Sequence, residues 1–186
     1  LPPQLDQEAA LRMIKREKDV EGISRENMAG LLLKDERAFA PCTAQAVMEM
    51  CHFYNIPLAG KEVCILGRSL VVGRPLSILM TNEDATVTVC HSKTANLKEV
   101  TKRADVLVCC MGRAKAIGSS YCKEGATVID VGTNWDEQGN QVGDVDFDTM
   151  ATVAGKISPV PRGLGAVTTA VLAKQLLKAY RLQEKG

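Results

Sequence analysis

The sequence predicts an α/β protein whose parallel sheet is doubly wound, as in Rossmann-like domains. Short apolar stretches rich in β-branched residues alternate with amphipathic stretches along most of the 186 residues. One apolar stretch ends in a glycine-punctuated turn, from Gly67 to Gly73, where a helical pattern begins. Strands separated by helices are joined by right-handed crossovers, which place them in parallel.

The first 60 residues precede the predicted sheet and are mainly helical. Gln7 to Lys15 reads as a short amphipathic helix with Asp6 as its N-cap. The secondary structure of the stretch 24–34 is ambiguous from sequence. A further helix, capped by Thr43, is predicted to run to about Tyr54.

Five strands are predicted in the remainder, at residues 62–67, 85–90, 105–110, 126–131 and 157–160. Helices are predicted at residues 74–82 and 95–103, with at most a short helix at 119–123. Residues 134–143 are polar and suggest a hairpin-like excursion. A long helix from Thr168 to about Leu182 closes the chain.

Composition narrows the function classes. The chain has 23 basic and 22 acidic residues, so neither a nucleic-acid nor a membrane surface is expected. No apolar stretch reaches the roughly 20 residues that span a bilayer. The beginning of the chain lacks the basic and apolar regions of a signal peptide. We therefore expect a cytoplasmic protein.

The seven cysteines form no C-x-x-C pair, and their number is odd. Four of them, Cys64, Cys90, Cys109 and Cys110, fall within apolar stretches. Buried free thiols in a reducing compartment explain this pattern best, and no metal site is expected.

The turn from Gly67 to Gly73 is the candidate phosphate-binding element. A glycine turn lets a diphosphate approach the backbone, and the helix that follows offers free N–H groups. Its spacing is G-x-S-x-x-x-G and not G-x-G-x-x-G, so an ordinary strand-to-helix turn remains an alternative.

The end of the second predicted strand bears on cofactor choice. An acid there would favour NAD by accepting the ribose 2′-OH, but this strand is followed by His91-Ser92-Lys93-Thr94. Together with Arg68 on the neighbouring strand, these donors suit a 2′-phosphate and favour NADP over NAD. Taken alone, the segment could be a solvated turn.

Two further segments would lie at the same edge of the sheet. Asp130 is expected to be a buried structural acid that accepts N–H bonds from loops, with a direct catalytic role as the alternative. The loop from Pro159 to Gly165 combines two prolines with two glycines and could close over a ligand. A plain connection between strand and helix is the alternative.

Several stretches occur together and in one order: Lys18–Gly22, Pro41–Thr43, Gly60–Lys61, Gly67–Pro75, Ala85–Thr94, Val128–Gly132, Gly143–Val145 and Pro159–Pro161. In this order they resemble the methylenetetrahydrofolate dehydrogenase/cyclohydrolase family. The resemblance implies a two-domain, homodimeric enzyme that uses NADP, or NAD in some members. It would oxidise 5,10-methylenetetrahydrofolate to the methenyl form and hydrolyse that product to 10-formyltetrahydrofolate.

The resemblance also implies residue roles. The implied cofactor-binding residues are Gly67, Arg68, Ser69, Ser92 and Thr133. The implied substrate-binding residues are Glu21, Pro161, Arg162, Gly163, Leu164 and Gly165. The family's catalytic tyrosine and lysine belong to an N-terminal domain. No residue of this chain matches them, and Leu1-Pro2 matches the end of that domain's Gln-Leu-Pro-Leu-Pro stretch.

The implied division of the chain has three parts. Residues 1–40 would be a remnant of the second α/β domain with its linker, 41–168 the NAD(P)-binding domain, and 169–186 a helix returning toward the N-terminal domain. Three positions depart from the family pattern: Glu21 replaces aspartate, Ala44–Ala46 replaces Pro-x-Gly, and Arg162 replaces glycine. A nucleotide-binding module without catalysis, or a Rossmann dehydrogenase with another small substrate, therefore remain alternatives.

Overall fold

The computed structural model describes Gln4 and residues 6–184. Leu1 and Pro2, which carry the match to the N-terminal domain, lie outside the described residues. Within this range the chain forms seven strands: β1 (Glu62–Leu66), β2 (Thr86–Cys90), β3 (Val106–Cys109), β4 (Thr127–Asp130), β5 (Asn134–Trp135), β6 (Gln141–Val142) and β7 (Lys156–Ile157).

The main sheet has the order β2-β1-β3-β4-β7, and every neighbouring pair is parallel. The chain runs outward from β1 to β2, then returns past β1 to β3, so the direction of winding reverses between β1 and β3. This order confirms the predicted doubly wound sheet. It also identifies the carboxyl ends of β1 and β3 as the crevice in which open α/β sheets bind ligands. The predicted excursion is the antiparallel β5–β6 hairpin.

The helices are α1 (Gln7–Arg12), α2 (Arg25–Leu32), α3 (Cys42–Phe53), α4 (Gly73–Asn82), α5 (Leu97–Thr101), α6 (Phe147–Met150) and α7 (Leu164–Glu184). Single 3-10 turns lie at Arg16–Lys18 and Ser119–Tyr121. The second agrees with the short helix predicted there, whereas α6 has no counterpart among the predicted helices.

Both faces of the sheet are covered, because alternate residues of each strand point to opposite sides. Val63 and Ile65 of β1 face a core formed with α3, α4 and α7. Cys64 and Leu66 of the same strand face a second core that includes Ile117 and reaches α6. Since both faces of β1, β3 and β4 are buried, these strands are apolar almost throughout.

Helix ends differ from the predicted ones where local chemistry decides them. Ser24 caps α2 by accepting the N–H of Asn27, which settles the ambiguous stretch as a helix. Asp6 accepts the N–H of Ala9, as predicted for its cap. The predicted cap at Thr43 is wrong, because Thr43 lies inside the first turn of α3 and Pro41 is the N-cap.

All seven cysteines are free, as expected, and only Cys110 is not fully buried. The Sγ atoms of Cys64 and Cys90 lie 3.7 Å apart, which is contact distance and not a bond. Burial raises the pKa of the thiols of Cys51 and Cys110 to about 12. These thiols therefore behave as small apolar core residues. None of the helices in the described part of the chain could span a bilayer.

Candidate cofactor and substrate cleft

The turn after β1 is shaped by close backbone contacts. Gly67 has φ +136°, and a Cβ added there would lie 2.4 Å from the carbonyl oxygen of Cys110. A Cβ on Gly73 would lie 2.1 Å from the carbonyl oxygen of Gly67. Only glycine fits either position, so the turn folds tightly beneath the N-terminus of α4. Arg68 and Ser69 are exposed on its outer side.

Ser69 combines a structural and a binding capacity. Its Oγ accepts the N–H of Val72, at 3.1 Å, and its carbonyl accepts the N–H of Arg74. The hydroxyl proton remains available, because a serine Oγ that accepts a hydrogen bond can still donate one. A phosphate oxygen, which only accepts, is a suitable partner.

The turn after β2 lies beside the turn after β1. Cys90 pairs with Leu66, and the carbonyl of Cys90 accepts the N–H of Gly67 at 2.9 Å. Ser92 and Lys93 are exposed immediately beyond this contact. The side chains of Arg68, Ser92 and Lys93 have no hydrogen-bond or ion-pair partner among the residues the structure describes. Two neighbouring turns thus present cations and a hydroxyl, with no carboxylate in either turn.

Asp144, to which the sequence analysis gave no role, fixes the loop after β3. It is fully buried and accepts the backbone N–H groups of Met111, Gly112 and Arg113, the last at 2.7 Å. It also accepts Nδ2 of Asn134, at 2.9 Å, which ties the loop to the hairpin. The Gly143–Val145 motif was the only sequence signal of this role.

Asp130 has the structural role expected for it. Its carboxylate accepts the N–H groups of Gly132, Asp144 and Val145 at 2.9–3.0 Å. A Cβ on Gly143 would lie 1.8 Å from one oxygen of Asp130, so only glycine permits this approach. Burial raises the pKa of Asp130, although the three N–H bonds act in the opposite direction. The carboxylate holds the segment after β4 against the hairpin.

Thr133 and the loop before α7 line one cleft. The cleft has a volume of about 540 Å³ and is bounded by the end of β4, Gln141 of the hairpin and Thr43 of α3. Pro161, Arg162, Gly163, Leu164 and Gly165 all line it. The structure therefore brings one predicted cofactor residue together with five predicted substrate residues.

The loop itself is shorter than predicted, because α7 begins at Leu164 and not at Thr168. Leu164 and Gly165 belong to the first turn of the helix, so its N-terminus faces the cleft. Arg162 is exposed and has φ +70°, in the left-handed region that normally favours glycine. The arginine that replaces the family's glycine therefore occupies a backbone conformation suited to glycine.

Glu21 is not among the residues lining this cleft. It is exposed and close to the thiol of Cys42, the first residue of α3, while the next residue, Thr43, does line the cleft. Burial, reinforced by the negative charge of Glu21, raises the pKa of Cys42 to about 11. Glu21 therefore lies beside the first residue of α3, whose neighbour Thr43 lines the cleft.

Asp19 and Gln175 position the segment that carries Glu21, and sequence reasoning missed both roles. Asp19 is buried and accepts the N–H of Ser24, at 2.8 Å, and Nδ2 of Asn27, at 2.9 Å. Burial acts to raise the pKa of Asp19, but these hydrogen bonds outweigh it and lower the pKa. Gln175 of α7 donates to the carbonyls of Val20 and Ala40.

The described residues contain no group of three or more histidine, cysteine or acidic side chains placed to hold a metal. A reversing parallel sheet, a glycine turn at its switch point and a cleft at its carboxyl edge define a Rossmann-type dinucleotide-binding domain. Residues 41–184 match the model of the tetrahydrofolate dehydrogenase/cyclohydrolase NAD(P)-binding domain. The chain belongs to this family.

Relatives of known sequence or structure agree with this assignment. The bifunctional protein FolD of Dictyoglomus thermophilum is 52% identical over 184 residues, which cover 99% of this chain. The FolD methylenetetrahydrofolate dehydrogenase/cyclohydrolase of Campylobacter jejuni is 39% identical, with a TM-score of 0.96 over 98% of this chain and 65% of that one. The Trypanosoma brucei FolD, solved with NADP and an inhibitor, is 38% identical, with a TM-score of 0.93 over 100% of this chain and 66% of that one. The chain spans 64% of the length of the Dictyoglomus relative.

Proposed function

We propose that this chain is the NADP-binding part of a bifunctional methylenetetrahydrofolate dehydrogenase and methenyltetrahydrofolate cyclohydrolase. The observation that carries the proposal is the pair of adjacent turns after β1 and β2. They present Arg68, Ser69 and Ser92 without any acid that would accept a ribose hydroxyl. Such a donor set fits a 2′-phosphate, which offers acceptors only. NAD is the alternative cofactor.

The residues divide into two groups around the cofactor. Gly67, Arg68, Ser69 and Ser92 would hold the phosphates and the adenosine side, and Thr133 would contact the nicotinamide side. Pro161, Arg162, Gly163, Leu164 and Gly165 would form one wall of the folate site, with Glu21 accepting pterin N–H groups. NADP supplies the hydride acceptor when bound. The protein's task is to orient the two ligands and exclude water.

Titrating NADP and NAD against the unaltered chain and against Arg68→Ala tests the cofactor proposal. Loss of one charge-assisted phosphate contact should weaken NADP binding roughly 10- to 100-fold and leave NAD nearly unchanged. Arg103→Ala is the matched control, because Arg103 is exposed but precedes β3 at the opposite edge of the sheet. Equal losses for NADP and NAD would remove Arg68 from the 2′-phosphate site.

We further propose that these 186 residues alone bind cofactor without appreciable turnover. Orientation of two reactants supplies roughly 7–11 kcal/mol of a barrier, and a placed acid or base a further 10²- to 10⁴-fold, to order of magnitude. The lysine and tyrosine to which the family's chemistry is attributed have no match in this chain. NADPH formation from methylenetetrahydrofolate, measured beside a full-length FolD, tests this. Turnover within about tenfold of the full-length enzyme would refute it and favour a dehydrogenase with its own complete site.

The proposed domain division keeps residues 1–40 as part of the substrate domain and linker, 41–168 as the cofactor domain, and 169–186 as a helix returning to the substrate domain. Leu172, Leu176 and Tyr180 recur every four residues on α7 and are 36–61% exposed. This apolar stripe is suited to packing against the substrate domain. The proposed boundary at residue 168 falls within α7, so one continuous helix would belong both to the cofactor domain and to the returning segment.

A homodimer is the proposed assembly. β7 is a short strand at the edge of the sheet, and beside it lies an apolar groove lined by Phe53, Tyr54, Ile157 and Val167. Phe53 is 77% exposed and Tyr54 is 57% exposed, so the groove presents contiguous apolar surface of the kind that marks a protein–protein contact. Sedimentation equilibrium of the chain and of Phe53→Asp would test whether this groove is the contact.

The free thiols fit the reducing cytoplasm, which is the proposed location.

A further inference from the structure

The turn after β2 is closed by three hydrogen bonds that involve His91. Its backbone N–H donates to Oγ1 of Thr94, at 2.9 Å, and its carbonyl accepts the N–H of Thr94, also at 2.9 Å. The third bond uses the imidazole, because Nδ1 of His91 accepts the backbone N–H of Lys93 at 3.1 Å. The side chain of His91 is therefore part of the turn and not only of its surface.

This third bond fixes the chemical form of the ring. A backbone N–H can only donate, so Nδ1 must keep its lone pair and the neutral imidazole carries its proton on Nε2. An acceptor that reaches the N–H two residues further on is what asparagine provides in an Asx-turn. A phenylalanine ring would have a similar size to imidazole but no acceptor.

The hydrogen bond from Lys93 to His91 matters because it encloses a candidate cofactor-binding residue. Ser92 stands between His91 and Lys93, and its hydroxyl has no partner among the residues described. The turn begins next to Arg68, since the carbonyl of Cys90 accepts the N–H of Gly67. Holding the peptide N–H of Lys93 on the imidazole constrains the backbone on both sides of Ser92, next to this neighbouring turn.

We propose that His91 is a positioning residue for NADP selectivity. Its Nδ1 holds the turn in the shape that presents the Ser92 hydroxyl and the Lys93 cation to the 2′-phosphate. This inference rests on the proposed function, because it concerns the same cofactor site. It assigns selectivity to a hydrogen bond within the turn in addition to the side chains that would touch the phosphate.

The test compares His91→Phe, His91→Ala and His91→Asn in titrations of the whole chain with NADP and NAD. We expect His91→Phe to weaken NADP binding about tenfold and NAD binding less than about twofold. His91→Asn should retain NADP affinity within about threefold, because Oδ1 can accept the N–H of Lys93. If His91→Phe unfolds the chain, as judged by near-ultraviolet circular dichroism, His91→Ala takes its place.

A double-mutant cycle with Ser92→Ala separates positioning from general support of the fold. If His91 acts through Ser92, the losses in NADP affinity from the two substitutions should be clearly less than additive. Equal losses for NADP and NAD, additive losses in the cycle, or failure of asparagine to rescue would overturn the proposal. If the unaltered chain binds NADP but any of these results is obtained, only the role of His91 is refuted and the proposed function is not. Absence of NADP binding by the unaltered chain would refute both.

Discussion

Replacing Asp144 with asparagine should destabilise the chain strongly, although the two side chains have nearly the same shape. One oxygen of Asp144 accepts the N–H groups of Met111 and Gly112, and the other accepts those of Arg113 and the Asn134 amide. Asparagine has one oxygen and one NH₂ group. In either orientation of the new asparagine side chain, its NH₂ group faces two of these four donors.

The expected loss follows from these contacts. A hydrogen bond to a charged acceptor contributes roughly 1.5–3 kcal/mol, and a buried group left unpaired cannot turn to water. Two such bonds are lost in a fully buried position, so we expect the free energy of unfolding to fall by about 3–6 kcal/mol. This is a large fraction of the stability of an ordinary domain.

Urea unfolding followed by circular dichroism measures this loss, with Asp136→Asn as the matched control. Asp136 lies on the hairpin that precedes Asp144 and also accepts backbone N–H groups, from Gln138 and Asn140, but it is at the solvent-exposed tip. Both of those bonds use one oxygen, which asparagine retains, and the other oxygen accepts only the exposed side-chain amide of Asn140, at 3.2 Å. We expect the midpoint for Asp136→Asn to stay close to that of the unaltered chain. Similar losses for the two variants, or a loss below about 1 kcal/mol for Asp144→Asn, would refute the reasoning.

Three further predictions concern stability and the thiols. Arg162→Gly should raise the free energy of unfolding by about 0.5–1 kcal/mol in urea titrations, because glycine relieves the strain of the left-handed backbone by more than it adds to the conformational entropy of the unfolded chain. Arg37→Gly, at an exposed position without a positive φ, should lower the free energy of unfolding. The hydrogen bonds that lower the pKa of Asp19 contribute stability above the ordinary carboxyl pKa, and this contribution is lost as pH falls through the lower native value. The urea-midpoint deficit of Asp19→Asn should therefore shrink between pH 7 and about pH 3, and a constant deficit would contradict this assignment. All seven thiols should react with a disulfide reagent in denatured, unreduced protein, while the native chain reacts slowly because six of its cysteines are buried and Cys110 is half-buried. A denatured count well below seven would contradict the free-thiol assignment.

The sheet could be predicted from sequence because its strands are buried on both faces. Runs such as Val63–Leu66 and Val106–Cys109 carry almost no polar residue, and the structure places each strand within about one residue of the prediction in this part of the sheet. The turn after β1 was recognisable because Gly67 and Gly73 mark it in the sequence, and a Cβ on Gly73 would clash with Gly67 of the same turn. Periodicity and turn residues were sufficient wherever the determinant was local.

The first residues of α7 and α5 could not be predicted in the same way. Gly165 resembled a loop residue, but it is exposed in the first turn of a 21-residue helix, whose packing on α3 outweighs the weak propensity of one glycine. Helix α5 begins two residues later than predicted, at Leu97, because Asn96 adopts a left-handed conformation before it. These boundaries depend on contacts and conformations that the sequence pattern does not express.

The buried carboxylates show why the site itself was only partly predictable. Asp130 and Asp144 are 14 residues apart in sequence, yet the N–H of Asp144 donates to Asp130 while the carboxylate of Asp144 accepts donors from the loop after β3. Burying two acids costs free energy unless every oxygen is satisfied, and apolar residues of similar size often stabilise a core as well. Their specific effect is geometric, because their hydrogen bonds join the loop after β3, the end of β4 and the hairpin. We therefore expect Asp144→Asn to reduce NADP affinity as well as stability, since Gly112 and Arg113 lie at the edge where β1 and β3 would receive the cofactor.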